Sequence, residues 1–244
     1  MNKVLQDIIN DNIINYNGKL TKIHSHIEFD QGFFLKRLIK EIKAEKSLEV
    51  GLAYGISTLF ICDSLVKTDK TCHIVMDPYQ YTDWEGIGIY NLKMAGYEDI
   101  IEFYNLPSHI ALPQLEVQKR SIDFAFIDGN HLYDYAMIDF FYIDRLLRVG
   151  GIIVLDDVNM KSIKKLCRYI ITNRAYTLLD YWGSLKGFTP KKNIYKIIKM
   201  IMTPFINAKR LEYFVKFGVF HGVRCFAFRK LAEDHRHWTF HCNF

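Results

Sequence analysis

The chain has 244 residues, of which 50% are hydrophobic and 24% charged, with a net charge of +5. Such a chain supports one sizeable core, which excludes wholesale disorder, and no apolar run approaches the roughly 20 residues of a membrane span. Five cysteines (Cys62, Cys72, Cys167, Cys225, Cys242) without a C-x-x-C pair exclude a disulfide framework and a thiolate zinc site, and read as free thiols.

The first residues, MNKVLQDIINDN, place acids and amides where a signal peptide has its apolar region, so a soluble, cytoplasmic protein is expected. Apolar spacing predicts a helix over Val4–Ile14 and a second over Gln31–Lys43, so that residues 1–46 form N-terminal helices packing on a core domain of residues 47–244. SLEVGL (47–52) reads as a short strand broken by glycine, and Ser57–Val66 as a helix. Strands follow at Thr71–Met76, Ile100–Tyr104, Ser121–Ile127 and Gly151–Leu155. Between and after them come helices at Ile87–Ala95, Tyr133–Leu147 and Lys161–Thr172. Ala175–Tyr181 and Arg224–Arg229 read as a last antiparallel hairpin at the sheet edge. A basic amphipathic insertion is expected at about 186–217, where Ile194, Ile197, Ile198, Ile201, Met202, Phe205 and Ile206 recur at helical spacing. Strands alternating with helices predict an α/β fold with a doubly wound, mostly parallel seven-stranded sheet and helices on both faces.

Ligands of such sheets bind beyond the carboxyl ends of the strands. Glu49, Asp77, Asp128 and Asp156 all stand at predicted strand ends. LEVGLAYGIST (48–58) follows a strand and opens a helix, with Gly51, Ala53 and Gly55 at spacing two for a tight turn against a ligand. It is neither a dinucleotide nor a triphosphate fingerprint. Glu49, placed to point at the ligand, favours a cationic one, and Asp77 suits the hydroxyl pair of a ribose. FIDGNH (126–131) and LDDV (155–158) end two strands that a doubly wound sheet makes neighbours, so Asp128, Asp156 and Asp157 converge. Their repulsion requires a raised pKa, a basic partner or a bound cation, and oxygen-only ligands suit Mg²⁺. Asp156 and Asp157 serve together only if the strand has ended before Asp157. Asp134 and Asp139 read as helix-face acids.

These segments resemble class I S-adenosylmethionine-dependent methyltransferases, specifically the catechol/macrocin O-methyltransferase-like group. LEVGLAYGIST is similar to their motif I, NLPSHIALPQL (105–115) to the segment whose serine lies at the adenine, and residues 122–158 to the metal-site region. The resemblance covers roughly residues 31–160. It implies S-adenosylmethionine at Glu49, Gly51, Ala53, Tyr54, Gly55, Ser57, Thr58, Asp77, Ser108 and Asp128. It implies a divalent metal, Mg²⁺, at Asp128, Asp156 and Asp157, with His131 as general base beside Asp128. The expected reaction is metal-assisted O-methylation of a hydroxyl on a small molecule or sugar. One departure is Asp157, where the catechol enzymes usually carry asparagine.

The net charge hides an asymmetry. Residues 1–160 carry 15 Lys/Arg and 23 Asp/Glu, whereas residues 161–230 carry 16 Lys/Arg and only Asp180 and Glu212. That basic third motivates one alternative, a metal-independent RNA methyltransferase, and the segment Phe188–Phe217 another, a non-catalytic cofactor-binding or membrane-surface protein. The chain has no aromatic-rich stacking motif and no N-P-P-Y amine site, which disfavours nucleic acid as partner. A homo-oligomer is a further expectation.

Overall fold

The computed structural model describes residues 1–183, 222–240 and 242; the expected insertion at 186–217 lies outside them. Helix α1 (Lys3–Asp11) starts where the Asn2 side chain accepts the Val4 N–H at 2.9 Å. It stops three residues before the predicted end of the first helix, at Asn12, which adopts a left-handed φ of +54°. A two-stranded hairpin not foreseen in the sequence follows, β1 (Ile13–Tyr16) and β2 (Lys19–Lys22). Its turn is Asn17-Gly18, both at positive φ, the pairing that matches strand twist in a two-residue loop. Helix α2 (Phe29–Glu41) leads into the core domain.

The central sheet has seven strands: β3 (Lys46–Val50), β4 (Cys72–Met76), β5 (Ile101–Tyr104), β6 (Ile122–Ile127), β7 (Leu147–Leu155), β8 (Tyr176–Gly183) and β9 (Val223–Lys230). Their order is β5-β4-β3-β6-β7-β9-β8. The first five are mutually parallel, and β9 inserts antiparallel between β7 and β8. The reversal of strand order lies between β3 and β6, where an open sheet leaves its ligand crevice. The helices are α3 (Ile56–Cys62), α4 (Ile87–Met94), α5 (Ser108–Val117), α6 (Tyr133–Leu146) and α7 (Lys161–Asn173).

Alternation along the strands feeds two cores. Leu48, Val50, Ile74, Met76, Ile127 and Leu155 pack with Leu112, Phe140 and Ile170 of α5, α6 and α7. Val75, Phe124, Phe126 and Val154 face the other way, onto Leu5, Leu35, Phe60 and Leu92 of α1 to α4. Helices α2 and α3 approach closely because Gly32 carries no side chain: a Cβ there would fall 2.3 Å from the Phe60 ring. Among the described residues no helix is long and apolar enough to cross a membrane. Among the described residues no cysteine forms a disulfide.

At the amino-terminal end of β7 a buried ionic network closes the sheet. Arg174 donates to Asp144, the Tyr176 hydroxyl donates to the same carboxylate at 2.6 Å, and Arg174 also pairs with Asp234 at 3.1 Å. The fully buried Lys230 ammonium donates to the carbonyls of Asp144 and Leu147 and to Glu233, at 2.7, 2.8 and 2.6 Å. Removing one partner of a buried pair strands the other charge, which costs about 3–5 kcal/mol. Asp144→Ala is therefore expected to lower the unfolding free energy by about 3 kcal/mol in urea titrations. A loss below about 1 kcal/mol would mean that Asp234 alone satisfies Arg174.

Candidate active site

A cavity of about 350 Å³ opens at the carboxyl ends of β3, β4 and β6, within the size range of small-molecule sites. Its wall includes Gly51, Leu52, Ala53, Tyr54 and Ser57 from the turn into α3, Asp77 to Tyr79 after β4, Pro107 and Ser108, and Asp128 to His131 after β6. Ser25, His26, Ile27, Trp84 and Tyr135 complete it. These last residues carry no local motif; only their place beside the strand ends marks them.

The glycine turn is shaped by close approach. Gly51 sits at φ +95°, and a Cβ there would lie 2.3 Å from the Asp128 carbonyl oxygen. Asp77 holds the turn from the next strand. Its Oδ2 accepts the N–H groups of Leu52 and Ala53 at 3.1 and 2.9 Å, and its Oδ1 accepts that of Tyr79 at 2.8 Å. The carboxylate is thus already committed to backbone donors on both oxygens.

Three of the residues expected at the cofactor do not line the cavity. Glu49 is fully buried beneath the turn, correcting the expectation that it points at the ligand. Strand alternation turns Val50 to one core and Glu49 to the other side, under α3. There Oε2 accepts from Thr58 Oγ1 at 2.5 Å and stands 3.2 Å from His73 Nε2, while His73 Nδ1 meets Ser47 Oγ at 2.8 Å. Thr58 is spent on that contact, and Gly55, at φ +77°, caps α3 instead of facing the cavity.

The carboxylates converge as the neighbouring strands require. Ile127 and Leu155 are register partners, and the Asp156 N–H donates to the Ile127 carbonyl at 3.0 Å. Strand β7 ends at Leu155, and Asp157 bends away at φ +48°, so both acids lie off the strand. His131 Nε2 stands 3.6 Å from Asp128 Oδ1 and 3.3 Å from Asp157 Oδ2. One ligand atom from each of Asp128, His131 and Asp157 lies within 4.8 Å of the others. The structure does not bring Asp156 into that trio: its Oδ1 accepts from the Cys225 thiol at 3.0 Å and from the Asp157 N–H at 2.8 Å. Burial raises the pKa of Asp128, and the charges of Asp156 and Asp157 push the same way against His131. The pairing with Asp128 raises that of His131, while burial opposes it.

The trio suits a divalent cation. His131 Nε2 is buried and makes no hydrogen bond of ordinary geometry, and the donors are two carboxylates and an imidazole. The cavity likewise suits a nucleoside-sized ligand, with Asp77 and Ser108 as polar anchors among Ile56, Met76, Pro78 and Pro107.

Residues 48–158 match the family described as "Methyltransferase domain". A probable caffeoyl-CoA O-methyltransferase of Arabidopsis thaliana is 33% identical over 135 residues, 52% of this chain and 54% of that protein. The flavonoid 3',5'-methyltransferase of Vitis vinifera is 29% identical over 138 residues, 54% of this chain and 55% of its own length. The chain thus spans about half the length of the curated relatives it matches. Among solved structures, the O-methyltransferase from Bacillus cereus in complex with SAH superposes with a TM-score of 0.61 at 19% identity, over 93% of this chain and 89% of the other. TomG from Streptomyces achromogenes, an O-methyltransferase of tomaymycin synthesis in complex with SAM, gives 0.62 at 14%, over 95% and 90%. These likenesses show the fold.

Asp139 corrects a second expectation. It is no exposed helix-face acid but 1% exposed, behind Ser108. Burial pushes its pKa up to about 6; the Ser108 hydroxyl offsets this only in part, and neither oxygen takes a hydrogen bond of ordinary geometry. A carboxyl whose folded pKa lies above its unfolded one costs stability once it must ionise in place. Asp139→Asn is therefore expected to unfold like the wild type near pH 4 and to be the more stable protein at pH 8. The gap opens between the unfolded value of about 4 and the folded value of about 6, and is complete above it. Parallel pH–stability curves from urea titrations would contradict this.

Proposed function

We propose that this chain, whose residues 48–158 match a methyltransferase domain family, transfers a methyl group from S-adenosylmethionine to a hydroxyl of a small molecule with the help of a divalent metal, Mg²⁺. The observation that carries the reading is the approach of Asp128, His131 and Asp157 within 4.8 Å, on the rim of a cavity walled by the glycine turn. The curated relatives are named for phenolic substrates, which makes a phenol or a sugar hydroxyl the acceptor class to test first.

In this reading the methyl donor lies against Gly51, Ala53, Tyr54 and Ser57, with its nucleoside toward Asp77 and Ser108. A cation held by Asp128 and Asp157, with Asp156 joining through the oxygen not taken by Cys225 and the Asp157 N–H, would lower the pKa of the acceptor hydroxyl and fix its position. His131 takes the hydroxyl proton at Nε2, and Asp128 raises its proton affinity for that task. Displacement at the sulfonium methyl needs in-line approach, so the cavity's main contribution is alignment, and exclusion of water protects it. A second reading is favoured by the same cluster: His131 as a ligand beside the two carboxylates. A cytoplasmic location and a homo-oligomer remain part of the proposal.

A screen of phenolic and sugar acceptors with methyl-labelled donor tests the activity. Turnover is expected to vanish with a chelator and return with Mg²⁺; chelator-insensitive transfer would remove the metal from the mechanism. His131→Ala is expected to lose about 100-fold or more in kcat while still binding the donor. Unchanged Mn²⁺ affinity in that variant supports the base role, and a loss of affinity supports the ligand role.

A further inference from the structure

The acid pair after β7 meets strand β9 in reverse order. Leu155 stands opposite Phe226 in the antiparallel ladder, so Asp156 comes to Cys225 and Asp157 to Arg224. Arg224 Nη2 donates to Asp157 Oδ1 at 3.1 Å, and its carbonyl accepts the Val158 N–H at 2.9 Å, so guanidinium and backbone are fixed to the same turn. Its Nη1 stands 4.0 Å from Glu28, and its buried Nε has no hydrogen-bond partner among the described residues. Asp157 therefore has a cation on one oxygen and His131, at 3.3 Å, on the other.

We propose that Arg224 is the standing counter-charge of the metal centre. It positions Asp157 and cancels its charge, so that the pair presents a cation with an oxygen donor of no net charge. This rests on the metal-assisted reading above. Arginine stays charged at any working pH, so the compensation is permanent, unlike that of His131. A unit charge several ångströms from a bound cation, at the effective dielectric of a protein site, changes its affinity by about tenfold or more. Arg224 therefore loosens the grip of three acids and keeps the cation exchangeable. Without it, His131 would be the one basic group among the described residues facing Asp128 and Asp157.

The charge argument fixes an order of affinities that a merely structural arginine does not. Mn²⁺ binding is measured by calorimetry on the wild type, Arg224→Gln, Asp157→Asn and the double variant, with unfolding curves to check the fold. Arg224→Gln is expected to bind about tenfold tighter and Asp157→Asn about tenfold weaker. The double variant restores the net charge and should return to within about threefold of the wild type. Arg224→Lys, which keeps the charge, should stay near the wild type, and Arg224→Met replaces the glutamine variant if that one unfolds. Equal or weaker binding by folded Arg224→Gln or Arg224→Met, or no recovery in the double variant, overturns the proposal while leaving the metal site standing. A wild type that takes up no Mn²⁺ at millimolar concentration overturns the metal-assisted reading itself.

Discussion

Carboxylate repulsion at the ends of two adjacent parallel strands is the constraint on which the rest of the site depends. The pairing of β6 with β7 fixes Asp128 beside the turn that carries Asp156 and Asp157. Two ionised carboxylates about 5 Å apart at an effective dielectric near 20 repel by roughly 3–4 kcal/mol. The neighbours answer that cost acid by acid. His131, from the turn after β6, reaches both Asp128 and Asp157; the Cys225 thiol takes Asp156; Arg224 takes Asp157. Two of these three partners lie on β9, which gives the antiparallel insertion of that strand a chemical role beyond closing the sheet.

The cofactor wall depends on a different economy. A glycine turn by itself is loose, since its residues lose the most conformational freedom on folding. Here Asp77 pins it from above through two backbone N–H groups, and Glu49 pins α3 from below through Thr58. Both acids are thereby structural before they are anything else. What remains free to meet a ligand is backbone and the small side chains of Ala53 and Ser57, which suits recognition by shape and by oriented dipoles.

Most of this was legible where local chemistry and tertiary placement agree. Asp128-Gly129-Asn130-His131 and Asp156-Asp157 stand directly after strands with clear apolar runs, and the doubly wound, mostly parallel sheet followed from their alternation with helices. The hairpin at 13–22 carried a legible Asn17-Gly18 signal, but Ile13 continued the helical spacing of Ile8 and Ile9 and hid it. Helix α5 carries Pro113 inside it and has little amphipathic contrast, so it read only as a motif segment. Glu49 was misplaced because its position before the glycines drew more weight than strand parity, which sends it away from Val50's side. The meeting of Asp157 with Arg224, 67 residues apart, is set by an antiparallel register that no local pattern encodes.

The two ends of the sheet also divide the unpaired polar groups between them unequally. At the amino-terminal end of β7, Asp144, Arg174, Tyr176 and Lys230 exchange full complements of bonds in near-complete burial. At the carboxyl end, His26 Nδ1, His131 Nε2, both oxygens of Asp139 and Arg224 Nε are buried with no hydrogen bond of ordinary geometry among the described residues. Each unpaired group costs roughly 1–3 kcal/mol of desolvation, so that end is held together at the expense of the rest of the fold. Polar atoms kept in this state bind more strongly when a partner does arrive, because their dehydration has already occurred. The saturated network at one pole and the unsaturated cavity at the other are therefore complementary: the first supplies the stability that lets the second stay poised.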